Sequence, residues 1–339
     1  MRVIVEANVF RGDLDHAHHG DLLTLFRIGL RGHHTIEVEP RKDPRFVAWL
    51  ESEGLRTRQM CERALDRGLK RETRRRRAHT LRVAYVDTAS WVEMKVPVAT
   101  ALDFLRRPLV ILLENERTDA HFLRTLTRLA DGFDLGALEK ETVVELRSRG
   151  GTENRMWLQD ERRTREELLR LWVLSDSDAR RTWRDPLGNC YRERLGALAS
   201  ELSSLCEKLG VPIHVLSRRS IENYLPLPVL DKWSEDDEHR RELYEAFASL
   251  SDEQRYHYNM KSGFAQDKKD PDHARKVGEL YKGLPEPTDR SLAHGFNKRA
   301  VKIGELLKGT PIHIPNRWLV ADKQEEEALQ IVRSIREYL

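Results

Sequence analysis

The sequence predicts an α/β protein whose middle third is a parallel sheet covered by helices, flanked by an N-terminal α/β region and a helical C-terminal region. Three observations predict it. Pro108–Leu113 reads PLVILL, a short unbroken apolar run of the kind that forms a strand buried on both faces. Between about residue 107 and residue 216, such runs alternate with stretches of helical periodicity, the pattern of strands joined by helical crossovers. Beyond Leu225 the chain turns polar and keeps only the helical period. The division that follows is residues 1–104, 105–226 and 227–339.

Taken in order, Val3–Glu6, Thr35–Val38 and Arg82–Val86 have strand character in the first region, with helical stretches at Phe46–Glu53 and Arg56–Leu69. In the second region Pro108–Leu113 is followed by a helix over Asp119–Ala130. Thr142–Leu146 is the next strand, ending at the Gly150–Gly151 break, and Asn154–Leu169 the next helix. Leu171–Leu174 is a third strand. Tyr191–Leu209 is an amphipathic helix closed by Gly210, and Val211–Leu216 a fourth strand. In the tail, helical periodicity covers Pro228–Leu250, His273–Leu280, Asn297–Leu307 and Gln324–Tyr338.

Composition excludes several classes. A mean hydropathy of -0.64 and 34% charged residues, with no apolar run of membrane-spanning length, argue against a membrane protein and make the cytoplasm the expected location. Cys61, Cys190 and Cys206 are not at metal-ligand spacing and read as ordinary buried thiols. The net charge of +3 permits nucleic-acid binding without arguing for it, so local patches must carry that case. There is no phosphate-binding Gly-x-x-x-x-Gly-Lys-Ser/Thr motif and no Gly-x-Ser-x-Gly elbow.

Parallel α/β sheets bind ligands just beyond the carboxyl ends of their strands, and acidic residues gather there in this sequence. Glu114 follows the first strand of the central region, Asp176 and Asp178 follow the third, and Glu222 lies shortly past the fourth. On extended backbone Asp176 and Asp178 would project to one side, giving a hard-oxygen site suited to Mg2+ or Mn2+. Lys261, in the segment YNMKSGF, is the candidate cation for stabilising charge that develops on a phosphoryl group.

The order of these motifs resembles the TOPRIM domain. The carrying segments are LLENERTDA at 112–120, RGGTEN at 149–154 and VLSDSD at 173–178. With the later segment RSIENYL at 219–225, they are similar to TOPRIM nucleases of the overcoming-lysogenization-defect type and related prokaryotic defence effectors. The resemblance implies a metal-dependent endonuclease in which Glu114, Asp176 and Asp178 are catalytic and bind metal and Glu222 is a further metal ligand. It also implies a nucleic-acid substrate (DNA or RNA, transfer RNA included), a role in anti-phage defence and a separate ATPase or sensor partner; a homo-oligomer is compatible with it. The family has Gly after its Glu and a second acidic residue four positions on. Here those places hold Asn115, a residue tolerant of left-handed backbone, and Thr118, which leaves Glu116 and Asp119 open for the acidic role.

The arginines offer phosphate contacts in two places, Arg74, Arg75, Arg76 and Arg77 in one run and Arg218 and Arg219 just before Glu222. The run DLDHAHH at 13–19 matches no metal motif and reads as an exposed polar loop, and Trp157, Trp172 and Trp183 read as core or rim aromatics. Two readings from other classes compete with the nuclease. One is a receiver-like signalling module, against which stands the long interval between Glu114 and Asp176 and the lack of a Lys-Pro turn after Leu216. The other is a non-catalytic scaffold that binds nucleic acid through its arginines.

Overall fold

The computed structural model describes residues 1–12, 15–72, 78–115, 117–179, 182–184, 190–192, 196–267, 269, 280–296, 306 and 324–339. The chain is α/β, and the described residues form two parallel sheets of four strands each. In the first, β1 (Arg2–Glu6) lies between β2 (Thr35–Glu39) and β3 (Thr80–Val83), and β4 (Lys95–Val96) completes the order β2-β1-β3-β4. Helices α1 (His16–Arg31), α2 (Pro44–Ser52), α3 (Leu55–Glu72) and α4 (Val98–Arg106) accompany it. Their apolar faces meet the strands in one core that includes Val3, Leu25, Phe26, Ile36 and Phe104. The 13–19 run is no loop where it is described. The Asp15 side chain accepts from the His18 N–H and caps α1, His18 Nε2 lies 3.2 Å from the Val9 carbonyl, and His19 pairs with Glu53.

The second sheet positions the carboxylates. Its order is β10-β7-β5-β6, built from β5 (Leu109–Leu113), β6 (Val144–Ser148), β7 (Leu171–Ser175) and β10 (Ile213–Val215). Strand β5 pairs with β6 on one side and β7 on the other, so the chain reverses its direction of travel across the sheet at β5. The crevice beyond the carboxyl ends of β5 and β7 is therefore the topological switch point, where open α/β sheets take their ligands. Every residue of β7 is buried, as are Leu109 and Ile111–Leu113 of β5, which explains why both strands read as continuous apolar runs.

The crossover helices are α5 (Thr118–Asp131), α6 (Leu135–Lys140), α7 (Gly151–Gln159), α8 (Arg165–Leu168) and α9 (Ala197–Leu209). Left-handed Gly132 and Gly210 end α5 and α9. Two expected helices are shorter than the sequence suggests. The stretch 154–169 breaks at Asp160 and restarts at α8, where Thr164 and Glu167 form a reciprocal capping box. The stretch 191–209 begins instead as a strand, β9 (Cys190–Arg192), paired antiparallel with β8 (Thr182–Arg184), and the helix starts only at Ala197.

The tail is helical, with α10 (Leu227–Ser234), α11 (Glu238–Ala248), α12 (Asp252–His257) and a C-terminal helix over Glu325–Tyr338. It is not a separate body. Ile331 and Ile335 share a core with Leu123 and Leu126 of α5, and the buried Trp172 of β7 donates from Nε1 to Ser334 Oγ at 2.9 Å. Most of the expected helices His273–Leu280 and Asn297–Leu307, and the side chain of Trp183, lie outside the described residues. Cys61 and Cys206 are buried and unbonded, as thiols inside a core should be. Among the described residues no helix is long and apolar enough to cross a membrane.

Candidate active site

Glu114 leaves β5 into a turn that its neighbours hold from several directions. Its carbonyl accepts from Ser148 Oγ at 2.8 Å and from the Gly150 N–H at 3.1 Å, while buried Asn154 donates to the Leu113 carbonyl at 2.8 Å. Gly150 has φ +76, and a β-carbon on Gly151 would stand 2.6 Å from Leu198 Cδ2 and 3.4 Å from the Glu114 carboxyl carbon, so the glycine pair lets α7 begin beside Glu114 without displacing Leu198 of α9. Asp119, in the first turn of α5, closes the other side: its Oδ2 accepts from the Glu114 N–H at 2.9 Å and the Asn115 N–H at 2.8 Å. Asn115 shapes the turn by hydrogen bonding rather than by left-handed backbone, since its Oδ1 accepts from the N–H groups of Arg117 and Thr118 and its φ is not positive. Glu116 lies outside the described residues.

Asp176 enters from the end of β7. Ser175 Oγ bonds Glu114 Oε1 at 3.2 Å, tying the two strand ends together, and Asp176 Oδ1 accepts from the Ile221 N–H at 3.1 Å. That N–H opens the 3-10 turn Ile221–Tyr224, which carries buried Glu222. Asp178 does not follow the strand alternation expected for it, because β7 ends at Ser175 and Asp178 adopts φ +49 in the loop beyond, exposed. Its N–H donates to the Arg219 carbonyl, and a β-carbon on Gly196 would fall 2.5 Å from the Asp178 β-carbon. Only glycine at 196 lets the chain pass there.

Lys261 comes from the helical tail. Its Nζ lies 3.3 Å from Glu222 Oε1 and 3.9 Å from Asp176 Oδ2, and its side chain is about half exposed (49%). The tail is anchored where this matters: Asn223 Nδ2 donates to the carbonyls of Arg255 and Tyr258, Arg219 donates its N–H to the Tyr256 carbonyl, and His257 Nδ1 stands 3.0 Å from the Ala179 carbonyl.

The electrostatics are those of crowded carboxylates. Burial raises the pKa of Glu114, and the Asp178 charge raises it further. Burial and then the Glu114 charge lift Asp176 well above the usual carboxylate range, and burial pushes Asp119 up to about 7. Burial works against the Lys261 ammonium, but the charges of Glu222 and Asp176 outweigh it and raise its pKa. Glu222 Oε2 is buried with no hydrogen-bond partner. Among the described residues no three His, Cys, Asp or Glu side chains converge closely enough to hold a metal ion as they stand. Ser175 holds Glu114, and the Lys261 ammonium lies within reach of Asp176 and Glu222. The donor set nevertheless fits a hard divalent cation: carboxylate oxygens, one of them orphaned, with less positive charge than negative around them.

The arginines turn out differently from expectation. Arg219 is buried and forms a two-pronged ion pair with Asp267, at 2.7 Å on each nitrogen, so it braces the tail rather than meeting a substrate backbone. Arg218 is buried too, donating to the Asn223 carbonyl at 2.7 Å and stacking on Tyr224 and Tyr256. Their burial removes them from a phosphate-binding surface. Arg74, Arg75, Arg76 and Arg77 lie outside the described residues. Sequence reasoning did not find Ser175, Asn154 or Gly196, whose roles depend on which strand ends and loops become neighbours. No family model, curated protein or solved structure matches the chain.

Proposed function

We propose that this chain is a TOPRIM-like nuclease that hydrolyses nucleic-acid phosphodiesters with Mg2+ or Mn2+. The observation that carries the reading is the meeting of Glu114, Asp176, Glu222 and Lys261 at the switch point of a parallel sheet, from four separate stretches of chain. Glu114, Asp176, Asp178 and Glu222 would hold the metal. Bound there, the cation would polarise a phosphoryl oxygen and supply hydroxide from bound water.

The chain's own groups do the rest. Asp119 and Ser175 orient Glu114, and the Ile221 N–H orients Asp176. Glu114, its pKa raised by burial, is placed to exchange a proton with water or the leaving oxygen. Lys261, charged and half exposed, is placed to stabilise negative charge that develops on a phosphoryl group in the transition state.

The resemblance to defence nucleases supports a wider reading, an anti-phage effector in the cytoplasm working with a separate ATPase or sensor. Cleavage of a panel of DNA, RNA and transfer-RNA substrates tests the nuclease, with Mg2+, Mn2+ or chelator and with Glu114→Ala and Asp176→Ala beside the wild type. Metal-dependent cleavage by the wild type, lost in both variants, is the expected result. Cleavage undiminished in both variants would sink the site.

A further inference from the structure

Strand β7 has a second charged end. Arg170 immediately precedes it, as Asp176 follows it, and Arg170 lines a cavity of about 600 Å³ at the amino-terminal edge of the second sheet. The cavity lies between the two α/β units, with Arg31 from the end of α1 and Arg106 and Arg107 from the end of α4 also on its wall. Ile28, Leu105 and Val143 give it an apolar side. The described lining carries one carboxylate, Glu141, which lies 3.4 Å from His33 Nε2; Arg107 is paired with Glu166 at 2.8 Å and Arg106 has Asp103 at 3.9 Å, which leaves Arg31 and Arg170 as the wall cations with no carboxylate partner among the described residues.

Arg170 is the informative residue. It is 4% exposed, yet its guanidinium donates only to main-chain carbonyls, of Tyr338 at 3.2 Å and Arg107 at 2.8 Å, and its Nε has no partner. Among the described residues no carboxylate is ion-paired with it. A guanidinium taken out of water without an anion is costly, and its fork geometry matches phosphate oxygens. The surrounding potential agrees: burial, and then neighbouring positive charges including Arg170, hold the pKa of His34 on the same wall well below its ordinary value.

We infer that this cavity binds an organic phosphate of nucleotide size, with its anionic groups against Arg31, Arg106 and Arg170 and its uncharged part along Ile28, Leu105 and Val143. The volume falls within the range of small-molecule sites, about 300–1,000 Å³, and exceeds what a bare phosphate would fill. The site is at the opposite end of the sheet from Glu114, so its ligand is not the substrate of the carboxylate cluster. The inference stands whether or not that cluster is a nuclease.

Calorimetric titration of the full chain with AMP, ADP, ATP and inorganic pyrophosphate tests it, in chelator so that divalent cations at the carboxylates contribute nothing. Saturable binding of at least one nucleotide, tighter than pyrophosphate, is expected. The Arg31→Glu/Arg106→Glu double variant, changed only at exposed helix ends, should weaken it by about tenfold or more while melting like the wild type. Arg170→Met should lose it as well, and the double variant keeps the test decisive if Arg170→Met does not fold. No saturable binding, pyrophosphate binding as tightly as every nucleotide, or binding that the double variant leaves unchanged would each overturn the proposal.

Discussion

Lys261 Nζ lies 3.3 Å from Glu222 Oε1, so the helical tail supplies the cation that faces the carboxylates of the parallel sheet. The two residues belong to regions that the sequence divides at about residue 226, yet they meet at one site. In the proposed reaction Lys261 acts on charge that develops in the transition state rather than on substrate binding. Replacement by Met should therefore lower the single-turnover cleavage rate by about 10²–10³-fold with little change in substrate affinity. A loss confined to affinity would contradict the role.

Asp119 is a positioning residue, holding the Glu114 and Asn115 N–H groups through one oxygen. Asp119→Asn keeps an oxygen in that place and, by removing a carboxylate that burial already disfavours, should leave thermal stability unchanged or higher. Asp119→Ala removes the acceptor and should cost about 1–3 kcal/mol. Chemical denaturation of the two variants separates them, and equal losses would show that the hydrogen bonds are not what the turn requires.

The buried Arg219–Asp267 pair makes a different forecast from a phosphate-contacting arginine. Arg219→Met should destabilise the fold by about 3–5 kcal/mol, because the Asp267 charge is left buried without its partner. The double variant Arg219→Met/Asp267→Leu should recover part of that loss. Unchanged stability with weakened nucleic-acid binding would return Arg219 to the substrate surface.

Glu327 ties the C-terminal helix to the end of β10 through His214, Ser217 and the Tyr224 hydroxyl. Burial alone would raise its pKa, but these hydrogen bonds outweigh burial and bring it down to about 2 from an ordinary 4.5. A depressed carboxylate stabilises the fold fully above its unfolded pKa and loses that contribution as pH falls through the folded one. The stability difference between wild type and Glu327→Gln, on the order of 2–3 kcal/mol at pH 7, should shrink between about pH 4.5 and pH 2. Urea midpoints across that range measure it. A difference independent of pH would contradict the linkage.

The strands that carry the site were legible because burial on both faces leaves an unbroken apolar signature, as in Leu109–Leu113 and Leu171–Ser175. Glu114 and Asp176 were legible for a related reason: an acidic residue directly after such a strand lies where the sheet opens. Asp178 was placed less well, since alternation holds only while the strand continues, and the strand stops at Ser175. The break at Asp160 had a visible sign in Thr164 and Glu167, a capping box that helical periodicity overrode. Burial of Arg218 and Arg219 had no local sign, because it follows from the tail folding back over them, with Asp267 far along the chain.

Mn2+ binding tests most directly whether the Glu114 and Asp176 carboxylates form a divalent-metal site, and it requires neither a partner protein nor a known substrate. Calorimetric titration should show saturable Mn2+ binding by the wild type, weakened by about 10-fold or more in both Glu114→Ala and Asp176→Ala, each of which removes a ligand. A wild type that binds no Mn2+, or variants that bind it as tightly as the wild type, would contradict the account.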